Sequence, residues 1–515
     1  MNMIKEINIM DNNICNGAQA PYMPQTAAKV KEKPEYTKAE VVMSAVSIIA
    51  AFFLVRYAVF NIMGFYTTGI FIAVITSAII YMKKKGCTFT AFNKLFAAVL
   101  YIFSIVFSIT ANDFIKELDA LFISGAGAYM VYSVSAGNKG VERYLPFAMC
   151  KAVFEYPFSH FGKQAAITQD HVSKSKAGSN VRLIIIGLLI TVPLTAIVAA
   201  LLMSADDGFF DMLSNVFYKI FSEGIWDIIW QLAIAIPVSM YFFGMMYANT
   251  HRSLINPLEE QNCIKKLFGM RFVSNLIMYS AVTPICILYV MFFISQAGYF
   301  LSAFSNDLPE GFTYADYARQ GFFELCAVAV INLIVLCAIS LFSKKAGKEK
   351  PFALKLYSIV LSVFTIILIA TAMSKMVMYI NNYGLTELRV YTSWFMVLLA
   401  IVFVLIIIKQ FRFDMKFAKY FAAVFTLMFA LLCFSRPEAL IAKYNIEMYR
   451  SGSLAELDKD AILKMSDDGL LAAFNEGAIT VEEVNINKER VYRASFGGFP
   501  DKCNLSSKIL DSKTE

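Results

Sequence analysis

The sequence predicts an all-α fold: a polytopic bundle of about eleven transmembrane helices followed by a small soluble helical tail. Three observations carry that expectation. The 515 residues are 58% hydrophobic and only 17% charged, whereas soluble domains run near half apolar and a quarter charged. The apolar residues come in runs of about 20, the length that crosses the hydrocarbon of a bilayer as a helix. Those runs lack the period-2 alternation of a membrane β-barrel, and a backbone in lipid must satisfy its own hydrogen bonds, which leaves helices.

Taken in chain order, residues 1–40 are polar, carry Pro21 and Pro24 in a P-x-x-P spacing, and are expected to form a disordered cytoplasmic tail with the option of binding a partner. No short apolar core with a cleavage site precedes the first helix, so that helix is expected to act as an uncleaved anchor. Spans are read at 41–60, 66–82, 95–111, 119–135, 181–203, 225–247, 273–301, 321–342, 353–379, 390–408 and 417–434. The fourth is the weakest, being short and containing SGAGA (124–128), small residues that either let helices approach closely or break a helix. Residues 136–180 form a basic loop whose aromatic and lysine mixture (145–164) is expected to lie against the inner leaflet. Residues 435–515 read as a slightly acidic soluble tail with a capping box at SLAE (453–456) and an apolar patch at LLAAF (470–474).

Loop charge sets the orientation. Lys29, Lys31, Lys33 and Lys38, then Lys83, Lys84 and Lys85, then the 136–180 loop, Arg252 with Lys265 and Lys266, the 344–350 lysines, and Lys409 with Arg412 and Lys416 fall on one side. The other side carries Asp206, Asp207, Asp211, Asp307 and Glu310 with few basic residues. The positive-inside rule therefore puts the amino terminus in the cytoplasm and the carboxyl tail outside a bacterial cytoplasmic membrane. The net charge of +7 is accounted for by those loops, so no nucleic acid is expected as a partner. The nine cysteines have no C-x-x-C spacing and the three histidines, His160, His171 and His251, no metal-ligand spacing, so neither a disulfide framework nor a metal or other cofactor is expected. No phosphate-binding, nucleophile-elbow or zincin motif is present, and the chain is read as leaning away from an enzyme.

Intramembrane polar residues carry what functional signal remains. Glu324 sits about a turn inside the eighth span, where it can reach headgroups, pair with Arg319 or Arg389, or face a polar cavity. Lys375 reaches a comparable depth, so a Glu324–Lys375 pair is geometrically possible, as a relay or as a tie. Asn332, deeper, is expected to bond to a neighbouring helix. Pro193, Pro237 and Pro284 fall within successive spans and are read as kinks rather than binding breaks.

Three ordered stretches, FTYADYARQGFFEL (312–325), NNYGLTELRVY (381–391) and RPEALIAKYNIEMY (436–449), resemble a bacterial multi-pass membrane protein family known as domain of unknown function 4173, related to 4153. One departure is Arg436, which stands where that pattern has asparagine before the proline. The resemblance implies an integral membrane protein and no particular activity. On the topology above the three stretches meet on the outer face, so Tyr317, Arg319, Glu324, Lys375, Tyr383, Arg389, Tyr444 and Asn445 are expected to line one cavity capped by the tail. Three functions fit. The first is an accessory or sensory membrane protein, contacting lipid and binding a protein partner through the 136–180 loop or the tail. A transporter or flippase using Glu324 and Lys375 comes second, and an envelope enzyme acting on a lipid-linked substrate third.

Overall fold

The structure is a computed structural model, and it describes residues 36–60, 63–174, 223–251, 271–305, 322–344, 351–412, 414–486 and 504–514, with single positions at 191, 195, 198, 203 and 269. Among the described residues nine helices are long and apolar enough to cross a membrane, and none forms a strand beyond one isolated bridge between Val273 and Ser343. This is an integral membrane protein built as a helical bundle.

The first four helices form a tight group. α1 (Lys38–Leu54) runs into one π turn (Val55–Val59), α2 spans Phe65–Lys84, and α3 (Ala91–Ser104) continues through Val106–Ile109. Glu40 closes the start of α1 by accepting from the Thr37 backbone N–H at 2.6 Å, and Thr90 caps α3, as short hydroxyl side chains do where four N–H groups lack partners. α4 (Asp113–Ser135) is the expected fourth span. It is not among the nine apolar candidates, yet it is the most enclosed helix of the group, with a continuous buried run from Ala128 to Val134. Its Ser133 hydroxyl donates to Asn93 of α3 (2.9 Å), while its Lys116 pairs with Asp113 of the same helix.

The basic loop is built into the bundle. Short helices α5 (Leu145–Cys150), α6 (Tyr156–Ser159) and α7 (Lys163–Lys174) bury Ala148, Ala152, Tyr156 and Ile167 against the core. Gln164 donates to Ser239 Oγ (2.7 Å) and to the Ser44 carbonyl (3.1 Å), and a side chain at Gly244 would run into the Pro157 carbonyl at 2.5 Å. The surface-lying segment expected here therefore has a packed inner face as well; Phe154 and Phe158 remain outward and exposed.

The fifth expected span, apart from the single positions given above, lies outside the described residues with Pro193, as do Asp206, Asp207, Asp211, residues 1–35 and the 306–321 stretch, whereas residues 38–40, expected in a disordered tail, already belong to α1. α8 (Glu223–Thr250) and α9 (Asn275–Ser305) continue unbroken through Pro237 and Pro284. A second core joins α9, α10 (Phe322–Phe342), α11 (Phe352–Tyr383) and α12 (Glu387–Phe411). Fully buried Asn332 ties three of them: Tyr289 donates to its Oδ1 (2.6 Å) and its Nδ2 donates to Thr365 Oγ1 (2.8 Å), the interhelical role expected of an amide in lipid. α13 (Phe417–Phe434) returns to the first core, where Phe429 stacks on Phe103 at 5.7 Å.

The tail is a small helical domain with its own core: α14 (Pro437–Arg450), α15 (Lys459–Leu463), α16 (Asp467–Asn475) and α17 (Leu505–Thr514) bury Ile446, Leu470, Leu471, Val484 and Leu510 together. It sits on the end of the bundle formed by the α3–α4 turn and the start of α12, since Asp468 bonds Thr110 and Asn445 bonds Leu385. The opposite end carries Lys38, Lys85 and Thr250.

Candidate functional site

Polar and ionisable side chains concentrate where tail and bundle meet. Ser466 caps α16, and its two successors, Asp467 and Asp468, occupy the first turn, where a helix dipole favours acids. Asp468 is fully buried and accepts from four residues in three segments at once. Its Oδ2 accepts from Thr110 Oγ1 (2.5 Å) and the Ala111 N–H (2.8 Å) in the turn between α3 and α4. Its Oδ1 accepts from Arg436 Nε (3.0 Å), with the second guanidinium nitrogen at 2.9 Å, and from Ser506 Oγ. A buried carboxylate with this many donors is compensated, and the charge-assisted bonds are of the stronger kind.

Arg436 reaches that carboxylate from a left-handed backbone, φ +50°, a conformation asparagine enters more readily than other non-glycine residues. The position where the related pattern carries asparagine is thus one the backbone itself selects. Here arginine occupies it and its guanidinium joins Asp468 to Ser506 Oγ (2.7 Å).

One turn on, Glu438 is buried under the same joint. Ser466 donates to its Oε2 from the backbone N–H (3.1 Å) and from the hydroxyl. Its other neighbour is a second carboxyl, Glu387 at the start of α12, with which it shares a hydrogen bond. Burial, then the Glu387 carboxylate and the Asp468 charge, push the Glu438 carboxyl up to about 8 despite the Ser466 bonds. Near neutrality the Glu438 carboxyl therefore keeps its proton. Lys116, on α4, is the buried cation of this region: its ammonium pairs with Asp113 at 3.2 Å and lies in the field of Asp467 and Asp468.

The expected site residues are partly assembled here. Asn445 on α14 clamps the loop before α12, accepting from the Leu385 N–H (2.6 Å) and donating to the Leu385 carbonyl (2.9 Å). Arg389 lies over the Tyr379 ring at 4.0 Å and donates to the carbonyls of Tyr383 (3.0 Å) and Gly384. Gly384 has φ +73° and a Cβ there would meet Asn445 Oδ1 at 2.5 Å, so both its conformation and the close approach require glycine. Tyr383, Arg389 and Asn445 therefore form one joint, with Tyr444 half-buried beside Asn445 on α14. Glu324 is exposed in the first turn of α10 and acts electrostatically on half-buried Lys375 of α11. Tyr317 and Arg319 lie outside the described residues.

Sequence reading passed over Glu387, Glu438, Asp468 and Lys116. Three signals were present: Glu387 and Glu438 stand inside the quoted stretches, and Ser466-Asp467-Asp468 is a helix-start pattern. Among the described residues no group of three or more histidines, cysteines or acids is arranged to hold a metal ion, and no disulfide links the cysteines.

No curated protein and no solved structure matches this chain. A family profile does, and it agrees with the relation to 4153 drawn from the three stretches. Matched over residues 96–475, which run from α3 through the bundle to the end of α16, the chain belongs to the family described as "Domain of unknown function (DUF4153)".

Proposed function

We propose that the protein is an accessory or sensory component of a bacterial cytoplasmic membrane, with the C-terminal helical domain as its responsive element. The observation that carries this is the joint at Asp468: one buried carboxylate takes hydrogen bonds from the bundle (Thr110, Ala111) and from the tail (Ser506, Arg436). Beside it the buried Glu438 carboxyl, hydrogen-bonded to Glu387, is pushed up to about 8. A packed hydrophobic contact would hold the domain equally at all pH values; a carboxyl pair makes the hold depend on proton activity. The lysine-rich end of the bundle supports a cytoplasmic placement for Lys38, Lys84 and Lys85, and hence an external one for the tail.

The test is hydrogen exchange of residues 437–475 and 504–514 in detergent between pH 5.5 and 8.5. The reading expects protection to fall with rising pH in those segments while α2 and α4 stay protected. Protection independent of pH would remove it.

Transport or flipping of a lipid-like solute is a second reading, favoured by the electrostatic contact between Glu324 and Lys375. It expects wild-type protein to scramble a fluorescent phospholipid in proteoliposomes and the E324Q/K375M variant to lose that activity while remaining folded. The accessory reading expects no scrambling from either.

A further inference from the structure

Away from the joint, at the lysine-rich end of the bundle, α1 and α2 diverge around a cavity of about 410 Å³, within the range of small-molecule pockets. Val42 and Val46 of α1 lie one and two turns from Lys38 along one face; Ile80 of α2 lies one turn from Lys84. The walls are therefore apolar and the rim is basic. Val42 and Ile80 are exposed, so the slot opens sideways, toward the lipid that would surround these two membrane-length helices.

The three successive lysines ending α2 have different neighbours. Lys83 lies over the Phe89 ring at 5.7 Å, and Lys85 turns inward to pair with buried Glu40 and donate to Thr37 Oγ1 at 3.2 Å. Lys84 is left on the slot, facing Lys38, and among the described residues neither has an acidic partner. Glu40, two residues from Lys38, is buried and already met by Lys85, with His251 Nε2 at 3.5 Å, so it does not neutralise the rim.

We infer that this slot binds an anionic phospholipid, with the headgroup phosphate on Lys38 and Lys84 and an acyl chain along Val42, Val46 and Ile80. Basic pockets between membrane helices suit such headgroups, and a zwitterionic lipid, although it presents the same phosphate, brings its own cation beside the two ammonium groups and offsets the attraction. The inference is independent of the sensory reading of the tail.

Native mass spectrometry of the full chain in detergent, titrated with phosphatidylglycerol or phosphatidylcholine, tests it. Wild-type protein should retain phosphatidylglycerol about 30-fold better, the product of two basic contacts at the interface. K38A/K84A should bring the two lipids to parity with an unchanged melting temperature, K38R/K84R should keep the preference, and K416A/K419A, exposed lysines at the same end, should keep it too. The inference is overturned by any of four results: equal retention by wild type, a preference surviving in K38A/K84A, its loss in K416A/K419A, which would mark unspecific surface attraction, or displacement of phosphatidylglycerol by millimolar inorganic phosphate, which would mark a free-anion site. A doubled mass lacking lipid would also overturn it, by assigning the slot to a second copy of the chain.

Discussion

Replacing Glu438 with glutamine isolates the proton in the joint. The carboxamide keeps the shape: its oxygen can accept both Ser466 bonds and its NH₂ can donate to Glu387, but it cannot ionise. In the docked tail Glu438 titrates at about 8, against an ordinary value of 4.5. A raised carboxyl value means the docked form binds the proton more tightly than the released form, so the contribution is fully present below pH 4.5 and is lost as pH rises through about 8. Moving from 4.5 to about 8, at about 1.36 kcal/mol per pH unit, sets a ceiling near 5 kcal/mol. A partly opened tail does not fully hydrate the group, so about 2 kcal/mol is the expected effect, close to 30-fold in the opening equilibrium. Hydrogen exchange of residues 437–475, corrected for intrinsic exchange, reads it directly. Opening of the wild type should rise about 30-fold between pH 5.5 and 8.5, whereas E438Q should be flat and as protected at pH 8.5 as the wild type at pH 5.5. Equal pH slopes in the two proteins, or an E438Q tail more open at pH 8.5, would refute the reasoning.

Three further outcomes follow from the same joint. Asp468→Ala leaves the Arg436 guanidinium, the Thr110 hydroxyl and the Ala111 N–H facing a void, and should cost about 3–5 kcal/mol of docking; limited proteolysis should cut near 451–458 first while α1 to α4 remain intact. Arg436→Asn should lose less than Arg436→Ala by about 1 kcal/mol in thermal unfolding, because asparagine relieves the left-handed backbone even though both variants lose the Asp468 ion pair. Gly384→Ala should destabilise by about 2 kcal/mol or more, from its positive φ and the Asn445 contact. Combining it with Asn445→Ala should be less than additive, which a double-mutant cycle in melting temperature measures.

What the sequence by itself determined is the helical bundle and its order. A lipid-embedded backbone must bond to itself, so apolar length converts directly into helices, and nine of the expected spans stand where the hydropathy places them. The interhelical role of Asn332 and the meeting of Tyr383, Arg389 and Asn445 were legible for a related reason, since a polar group near lipid has few acceptable partners. The tertiary structure alone decided which charges are buried. Asp468 looks like any tail acid until Thr110, 358 positions earlier, is brought against it, and the Glu438 carboxyl is pushed up by burial in the joint and then by Glu387, which closes on it from another helix. α4 is enclosed by its neighbours although its shortness and its run of small residues made it marginal as a span, and the basic loop gains an inner face from the small residues of α8. Burial and charge compensation are properties of pairs distant in the chain, and no local window contains both members.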